Sequence, residues 1–113
     1  MRGDQIRLQV ILDAITAIEP DVATGRGVFD ADPKTQVWFI RHIQIIGKAA
    51  RVLTPGLKAN HPEVPWSWIN GMRNIVVHDY HGVEMDKVWN VAEQHLPILR
   101  AQIEAILREL VAG

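Results

Sequence analysis

Arg73, Asn74, His78 and Tyr80 lie close together in the sequence and are of types that can do chemistry. An arginine offers two parallel N–H donors to a phosphate, and a histidine can exchange a proton near neutral pH. Together these residue types could cleave a phosphodiester bond without a metal, with Asn74 orienting the imidazole or holding a phosphate oxygen. The competing interpretation is an ordinary solvated face, because such side chains are usually exposed.

These residues lie in a segment with helical periodicity. On a helical wheel at about 100° per residue, Asn70, Arg73, Asn74 and His78 fall on the side away from the apolar residues. Val77 lies in the middle of this polar face, where an exposed β-branched side chain is unexpected. A second copy of the chain is the simplest cover, because a two-fold axis along this helix would bring two copies of Arg73 and His78 around one groove.

Apolar residues recur every three or four positions along most of the chain, which predicts helices and no strand. A first helix is predicted over 4–19. It should end before Pro20, because proline disfavours helical geometry at the preceding residue. Thr24, Gly25 and Gly27 then predict a flexible connection.

A second helix is predicted to begin after Asp32, a capping acid followed by Pro33, and to close at 54–56. The segment 55–65 contains three prolines and is predicted to be an ordered connecting loop. The core stripe predicted for the second helix consists of Phe39, Ile43, Ile46, Ala50 and Leu53.

A third helix is predicted over 66–78, with Gly82 marking its end, and a last helical region begins at Asp86. Pro97 removes a backbone donor, which predicts a kink or two helices that meet near His95. These elements predict an all-α, antiparallel up-and-down bundle of four to five helices. The apolar side of the third helix is predicted to carry Trp68, Ile69, Met72, Ile75 and Val76. The tryptophans are predicted to be core or interface anchors: Trp38, Trp66, Trp68 and Trp89.

The composition, with 48% hydrophobic and 22% charged residues, predicts one globular domain over residues 1–113. The chain has no cysteine, which excludes disulfides and thiolate metal sites and favours a reducing compartment. No apolar run approaches the roughly 18 residues of a membrane span, and the start lacks a signal-peptide core. We therefore expect a soluble, unprocessed cytoplasmic protein.

The charges are unevenly distributed, although 12 Lys and Arg nearly balance 13 Asp and Glu. Residues 33–62 carry five bases and no acid. Four of these bases, spaced for the exposed side of the second helix, are candidate contacts for an RNA backbone: Lys34, Arg41, Lys48 and Arg51. Positions seven apart lie about 10.5 Å apart along a helix. A solvated face is the alternative, and no aromatic stacking partners are interleaved with these bases.

A metal site at His78, Asp79 and His81 is a further alternative. Neither the spaced ligand pairs of a zinc site nor the Glu-x-x-His helices of a di-iron bundle are present. The sequence therefore predicts no metal and no cofactor, and the other histidines are expected to be surface or capping residues: His42, His61 and His95.

The segment 71–80, Gly-Met-Arg-Asn-Ile-Val-Val-His-Asp-Tyr, resembles the HEPN family and, more closely, its HepT-like toxin branch. The shared motif is Arg, four residues, His, one residue, Tyr. Further blocks of the resemblance follow in order: residues 45–50 in the second helix, 65–66 before the third, and 88–89 and 96–97 in the last.

The resemblance implies a helical bundle that acts as a metal-independent ribonuclease and a homodimer. It implies that Arg73 binds phosphate and stabilises transition-state charge, that His78 transfers a proton and that Asn74 supports them. The same family is paired with a nucleotidyltransferase antitoxin that adds AMP to the motif tyrosine, here Tyr80. A nucleotide there would occupy the phosphate site and repel RNA.

The sequence departs from the family pattern at two places. Gln44 and Lys48 stand where acids are common, and His81 and Gly82 replace a usual aromatic residue. These departures concern partner contacts and substrate preference. The favoured interpretation is an endoribonuclease toxin that cleaves RNA, with tRNA among the candidate substrates, by internal attack of the 2′-hydroxyl. The alternative is a catalytically inactive HEPN bundle that binds nucleotide or scaffolds a nucleotidyltransferase.

Overall fold

The computed structural model describes the backbone of residues 2–78 and 85–113, and the side chains of all of these except 73–78. The regular structure in this part of the chain is entirely helical, which confirms the predicted all-α class. The helices are α1 (Arg2–Ala23), α2 (Arg26–Ala31), α3 (Pro33–Arg51), α4 (Pro55–Asn60), α5 (Trp66–His78), α6 (Met85–Asn90) and α7 (Leu96–Ala112), and a π-helical segment (Val91–His95) joins α6 to α7.

Four long helical segments run up and down: α1, α3, α5 and the continuous run from α6 to α7. Trp38, near the start of α3, donates from Nε1 to the carbonyl of Ala17, near the end of α1, over 3.1 Å. Arg100, near the start of α7, bonds Glu19 near the end of α1 over 2.9 Å. Both neighbours of α1 are therefore antiparallel to it, and α3 packs along α5 on its other side.

The apolar stripe predicted for the second helix lies in the core. Every predicted member of the stripe is buried: Phe39, Ile43, Ile46, Ala50 and Leu53. An aromatic cluster closes one end of the bundle, where the Phe29 ring lies 4.9 Å from Phe39 and 5.3 Å from Trp89 between centroids. These contacts tie α2 and α6 to the start of α3.

The prediction that the first helix ends before Pro20 is wrong, because α1 continues through this proline to Ala23. Pro20 is exposed, and it has no N–H to give to the carbonyl four residues earlier. Ile18 is buried on one side of it, and Val22 packs against the core on the other. Tertiary burial on both sides of the proline therefore outweighs the missing hydrogen bond.

The connection after α1 is not the flexible link that Thr24, Gly25 and Gly27 predicted. The short helix α2 occupies it, and its Phe29 is fully buried. Gly25 has φ of 100°, a conformation that glycine adopts without a steric penalty, and it allows the chain to turn between α1 and α2. The composition of this segment favoured a loop, but the buried Phe29 side chain holds α2 against the core.

The start of α3 confirms the predicted cap at Asp32. Its carboxylate accepts hydrogen bonds from the Thr35 hydroxyl over 2.8 Å and from the Lys34 N–H over 3.0 Å. Both bonds lower the pKa of the Asp32 carboxyl, and the bond from Thr35 has the larger effect. A lowered folded-state pKa means that the cap stabilises the fold above the unfolded pKa and loses this effect as the pH falls through the folded one.

The predicted end of this helix at 54–56 is wrong by a few residues. Helix α3 ends at Arg51, and the Thr54 hydroxyl instead caps α4 by accepting from the Leu57 N–H. The segment 55–65, predicted to be an ordered loop, therefore contains a helix.

The interruption predicted at Pro97 is confirmed. Since proline has no N–H for the carbonyl of Glu93, the backbone widens into the π-helical segment Val91–His95, and the Leu96 N–H bonds the Val91 carbonyl five residues back. Helix α7 then begins with Pro97 in its first turn. Two helical pieces thus meet near His95.

The tryptophans divide into two pairs. Trp66 and Trp89 are 9% and 6% exposed and anchor the core as predicted. Trp68, predicted on the apolar side of its helix, is 37% exposed and packs against His95 at 4.5 Å between ring centroids. Trp38 is 43% exposed.

No helix in the described part of the chain is both long and apolar enough to cross a membrane. Gly82 lies outside the described residues.

Asp4 is a buried polar residue that joins the first turn of α1 to the turn after α3, and its removal should destabilise the fold. It is 2% exposed and accepts from the Thr54 N–H over 3.0 Å and from the Thr54 hydroxyl over 2.6 Å. In Asp4→Ala both donors lose their partner, so we expect the free energy of unfolding to fall by about 1–3 kcal/mol in urea titration. The exposed Arg108→Ala control should change it by less than about 0.5 kcal/mol. Equal losses in the two variants would contradict this account.

Candidate functional site

Helix α5 is the element that carries the motif, and its bounds are those the sequence predicts. It begins after Pro65, whose carbonyl accepts from the Ile69 N–H over 3.0 Å. The Trp66 indole donates to the carbonyl of His61 over 3.0 Å and fixes the first turn. Ile69 and Met72 are each 1% exposed and hold the helix against the core. The helix is therefore anchored firmly at the end away from His78.

The structure brings Arg73, Asn74 and His78 into this one helix, in its C-terminal half. Arg73 and His78 are five positions apart in this helix, which corresponds to a rise of about 7.5 Å along the axis and a rotation of about 140° around it. The side chains at these positions are outside the description, and Tyr80 lies outside the described residues altogether. The roles that the resemblance implies for them therefore stay predictions.

Asn70 is a residue that the sequence placed on the polar face without giving it a role. Its side-chain oxygen Oδ1 is buried and accepts no hydrogen bond from the residues that the structure describes. It lies one helical turn before Arg73 and Asn74. A buried acceptor without a donor costs about 1–3 kcal/mol of stability. A polar residue in a periodic pattern gives no sign of such burial, which depends on the packing of α5 against its neighbours.

The four bases of α3 are all exposed, as their spacing predicts: Lys34, Arg41, Lys48 and Arg51. None of them takes part in an ion pair within the described part of the chain. At the C-terminal end of α3, the Arg51 carbonyl accepts from the Lys58 ammonium over 3.2 Å. Contact with RNA stays a prediction for these residues.

The histidines that the structure describes have local partners. His42 shares a 2.7 Å hydrogen bond with the Trp38 carbonyl, and His61 lies 3.2 Å from a carboxylate oxygen of Glu63. Among the described residues, no three His, Asp or Glu side chains converge as metal ligands would. The alternative metal site at His78, Asp79 and His81 falls outside the described side chains.

Comparison with known proteins decides the family. A family model described as ribonuclease HepT-like matches residues 8–106, most of the chain. The chain belongs to the HepT-like family. The resemblance predicted from the segment 71–80 is thereby confirmed.

Relatives of this HepT-like chain bear ribonuclease names. A "probable ribonuclease HepT" of Thermococcus cleftensis is 35% identical over 69% of this chain and 71% of its own length. A "putative RNase" of Caldanaerobacter subterraneus subsp. tengcongensis is 35% identical over 72% of each chain. A "gamma-glutamylcyclotransferase and putative RNase" of Methanocaldococcus jannaschii is 32% identical over 97% of this chain, but only half of that longer protein is covered. No solved structure gives a significant match.

Replacing Asn70 with leucine should leave the fold at least as stable as before. The change removes a buried acceptor that no described residue satisfies and adds apolar surface of similar size, so we expect the free energy of unfolding to stay level or to rise by up to about 1–3 kcal/mol. The matched control is Gln36→Leu, because the Gln36 amide donates to the Phe29 carbonyl over 3.1 Å and its loss should be destabilising. A clear loss of stability in Asn70→Leu, measured in urea, would show that Oδ1 has a donor.

Proposed function

We propose that this HepT-like chain is a metal-independent endoribonuclease whose reaction centre lies on the C-terminal half of α5. The observation that carries the proposal is that Arg73, Asn74 and His78 lie in one helix of a chain that belongs to a ribonuclease family. The names of the relatives point to RNA as the substrate.

The chemistry follows from the residue types. The 2′-hydroxyl of RNA attacks its own phosphodiester, so that the 2′-oxygen forms a bond to phosphorus and the bond from phosphorus to the 5′-oxygen breaks. His78 is suited to move a proton in this exchange because an imidazole titrates near neutral pH. The Arg73 guanidinium offers a planar fork of donors to the charge that develops on the phosphorane oxygens. Asn74 holds the imidazole or a phosphate oxygen. The products are a cyclic phosphate and a 5′-hydroxyl.

The proposal includes a homodimer in which α5 of one copy faces α5 of another. The position of Val77 within the polar face of this helix is the support for it, because an apolar side chain there is best covered by a partner. A two-fold axis along the helix would place two copies of Arg73 and His78 around one groove.

The exposed bases Lys48 and Arg51 are the members of the α3 group that we propose as RNA-backbone contacts. They lie at the C-terminal end of α3, beside the start of the antiparallel helix α5, so a bound RNA strand would run along the bundle from this end toward Arg73 and His78. Charge neutralisation at a phosphate gives affinity without sequence preference, and it weakens as salt rises.

Loss of either motif side chain should abolish cleavage while leaving the fold intact. We expect Arg73→Ala and His78→Ala each to lower the rate of RNA cleavage by about 10²–10⁴-fold, the range typical of a lost catalytic group. The measurement is single-turnover cleavage of labelled tRNA and of total RNA, with circular dichroism to verify the helical fold. The control is Arg108→Ala, an exposed arginine on α7, which should cleave at the wild-type rate.

The opposite outcome is equally informative. If the folded wild type binds a nucleotide saturably but cleaves no RNA, the chain is the catalytically inactive bundle instead. If both alanine variants cleave at the wild-type rate, the reaction centre is not on α5.

We propose further that a nucleotidyltransferase partner controls the enzyme by adding AMP to Tyr80. The step breaks the bond between the α- and β-phosphates of ATP, joins the α-phosphate to the tyrosine oxygen, and releases pyrophosphate and the proton of the tyrosine hydroxyl. The added negative charge would repel RNA from the site.

The regulation by AMP is tested with Tyr80→Phe, which differs from the wild type by one oxygen atom. Tyr80→Phe lacks the hydroxyl, so we expect it to gain no AMP-sized mass when it is produced together with a nucleotidyltransferase encoded beside it, and to remain active. The wild type should gain that mass and lose cleavage, as measured by intact-mass spectrometry and the tRNA assay. An AMP adduct on the phenylalanine variant would assign the modification to another residue.

A further inference from the structure

Helices α1 and α3 leave an apolar groove on the bundle surface that the proposed function does not use. One part of it is a pocket of about 240 Å³ lined by Val10, Asp13, Ala14, His42 and Ile45. A second pocket of about 250 Å³ is lined by Asp21, Lys34, Thr35 and Trp38. The Trp38 ring of this pocket lies 4.2 Å between centroids from the His42 ring of the first. We name this surface, with both pockets, the α1/α3 groove. It differs from the flank of α3 that packs along α5.

The floor of the α1/α3 groove exposes more apolar surface than a solvated helix pair needs. Trp38 is 43% exposed although its indole N–H is already bonded to the Ala17 carbonyl. Val10 is 39% exposed, and Ile6, one turn before it on α1, is 58% exposed. Exposed apolar side chains grouped on neighbouring helices in this way favour an interaction surface.

The two edges of the groove carry opposite charges. Asp13 and Asp21 line its α1 edge, and Lys34 lines its α3 edge, with Arg41 two turns further along the same side of α3. None of these four side chains makes an ion pair with a described residue within 4 Å. An apolar strip between an acidic edge and a basic edge is complementary to itself after a half-turn.

We propose that a second copy of this chain docks in the α1/α3 groove. The two-fold axis lies in the plane of contact and runs parallel to the helices. This operation sets α1 of one copy over α3 of the other, with the acidic edge of each facing the basic edge of its mate. An in-plane axis perpendicular to the helices would instead set α1 over α1 and bring like charges together, which costs free energy.

The register of the charges fits this axis. The pockets place Asp13 at the level of His42 and Asp21 at the level of Lys34. A two-fold axis parallel to the helices leaves every level unchanged, so Asp21 of one copy meets Lys34 of the other and Asp13 meets Arg41. The acids are eight residues apart and the bases seven, which correspond to about 12 Å and about 10.5 Å along their helices. Both pairs can therefore form in one contact.

The same charges disfavour RNA as the occupant. A strand of RNA would be attracted to the basic edge, but the acidic edge across the groove would repel its phosphates. The apolar side chains between the edges offer no hydrogen-bond donors or positive charges to a sugar–phosphate backbone. A copy of the chain satisfies all three features of the surface, and this contact leaves α5 free for the dimer of the proposed function.

Cross-linking of single-cysteine variants tests the contact directly, because the natural chain has no cysteine. Asp13→Cys and Arg41→Cys are purified separately, mixed and treated with a mild oxidant or a short bis-maleimide. We expect covalent dimers in the mixture and only background dimer in either variant alone, since only an α1-over-α3 contact brings the two positions together between chains. In the matched control, Asp13→Cys is mixed with Arg108→Cys, an exposed position on α7, and should give no excess dimer.

Three outcomes would overturn the inference. A mixture that gives no more covalent dimer than the separate variants, at a concentration where light scattering reports an oligomer, removes the contact. Equal cross-linking of Asp13→Cys with itself indicates the like-charge arrangement and overturns the proposed axis. If Lys34→Glu and Arg41→Glu weaken RNA binding but leave the mass of the assembly unchanged, the basic edge serves RNA instead. None of these measurements depends on cleavage, so an inactive chain that cross-links as expected refutes the proposed function alone.

Discussion

The packing of α3 on three sides is the constraint on which the rest of the structure depends. Its apolar stripe faces the core, one flank packs along α1 and the other along α5. A helix held in this way cannot rotate about its axis without opening all three contacts, since packed interiors tolerate few voids. The rotation of α3 therefore fixes which of its residues line each surface groove, and it fixes α5, and with it Arg73 and His78, relative to the bundle.

The aromatic cluster holds α2, α3 and α6 together at one end of the bundle. Phe29, Phe39 and Trp89 meet at the end of the bundle toward which α5 runs. An ion pair of Arg26 with Asp86 adds a contact from α2 to the first turn of α6. Exposed ion pairs contribute little on their own, so the ring contacts carry most of this connection. The helix that leads into the motif and the helix that follows it are thus both held by the core.

Much of this arrangement could be predicted from the sequence, because amphipathic periodicity reports which side of a helix is buried. The bounds of α5, the cap at Asp32 and the interruption at Pro97 all depend on local backbone chemistry. What local rules missed depends on distant partners. Pro20 stays inside α1 because of burial on both sides of it, and the glycine-rich link folds because Phe29 finds the core.

The candidate site could be predicted as a motif on a helix, but its surface surroundings could not. A helical wheel shows that Asn70 lies on the polar face, yet it cannot show that Oδ1 is buried there. In the same way, the spacing of Trp38 does not show that its indole bonds across to α1 and remains half exposed. Both facts arise from the order in which the helices are arranged around α3, which periodicity does not encode.

The segregation of charge along the chain gains a physical meaning from this arrangement. Helix α3 has four bases and no acid, so none of its bases can pair with an acid one turn away on the same helix, as i and i+4 residues commonly do. Helix α1 beside it supplies acids such as Asp13 and Asp21, but on the far edge of the groove. Asp21 and Lys34 line one pocket between the two helices, so opposite charges already face each other across the groove within a single chain. In the proposed contact, the same acidic and basic edges determine the axis and the register between two chains.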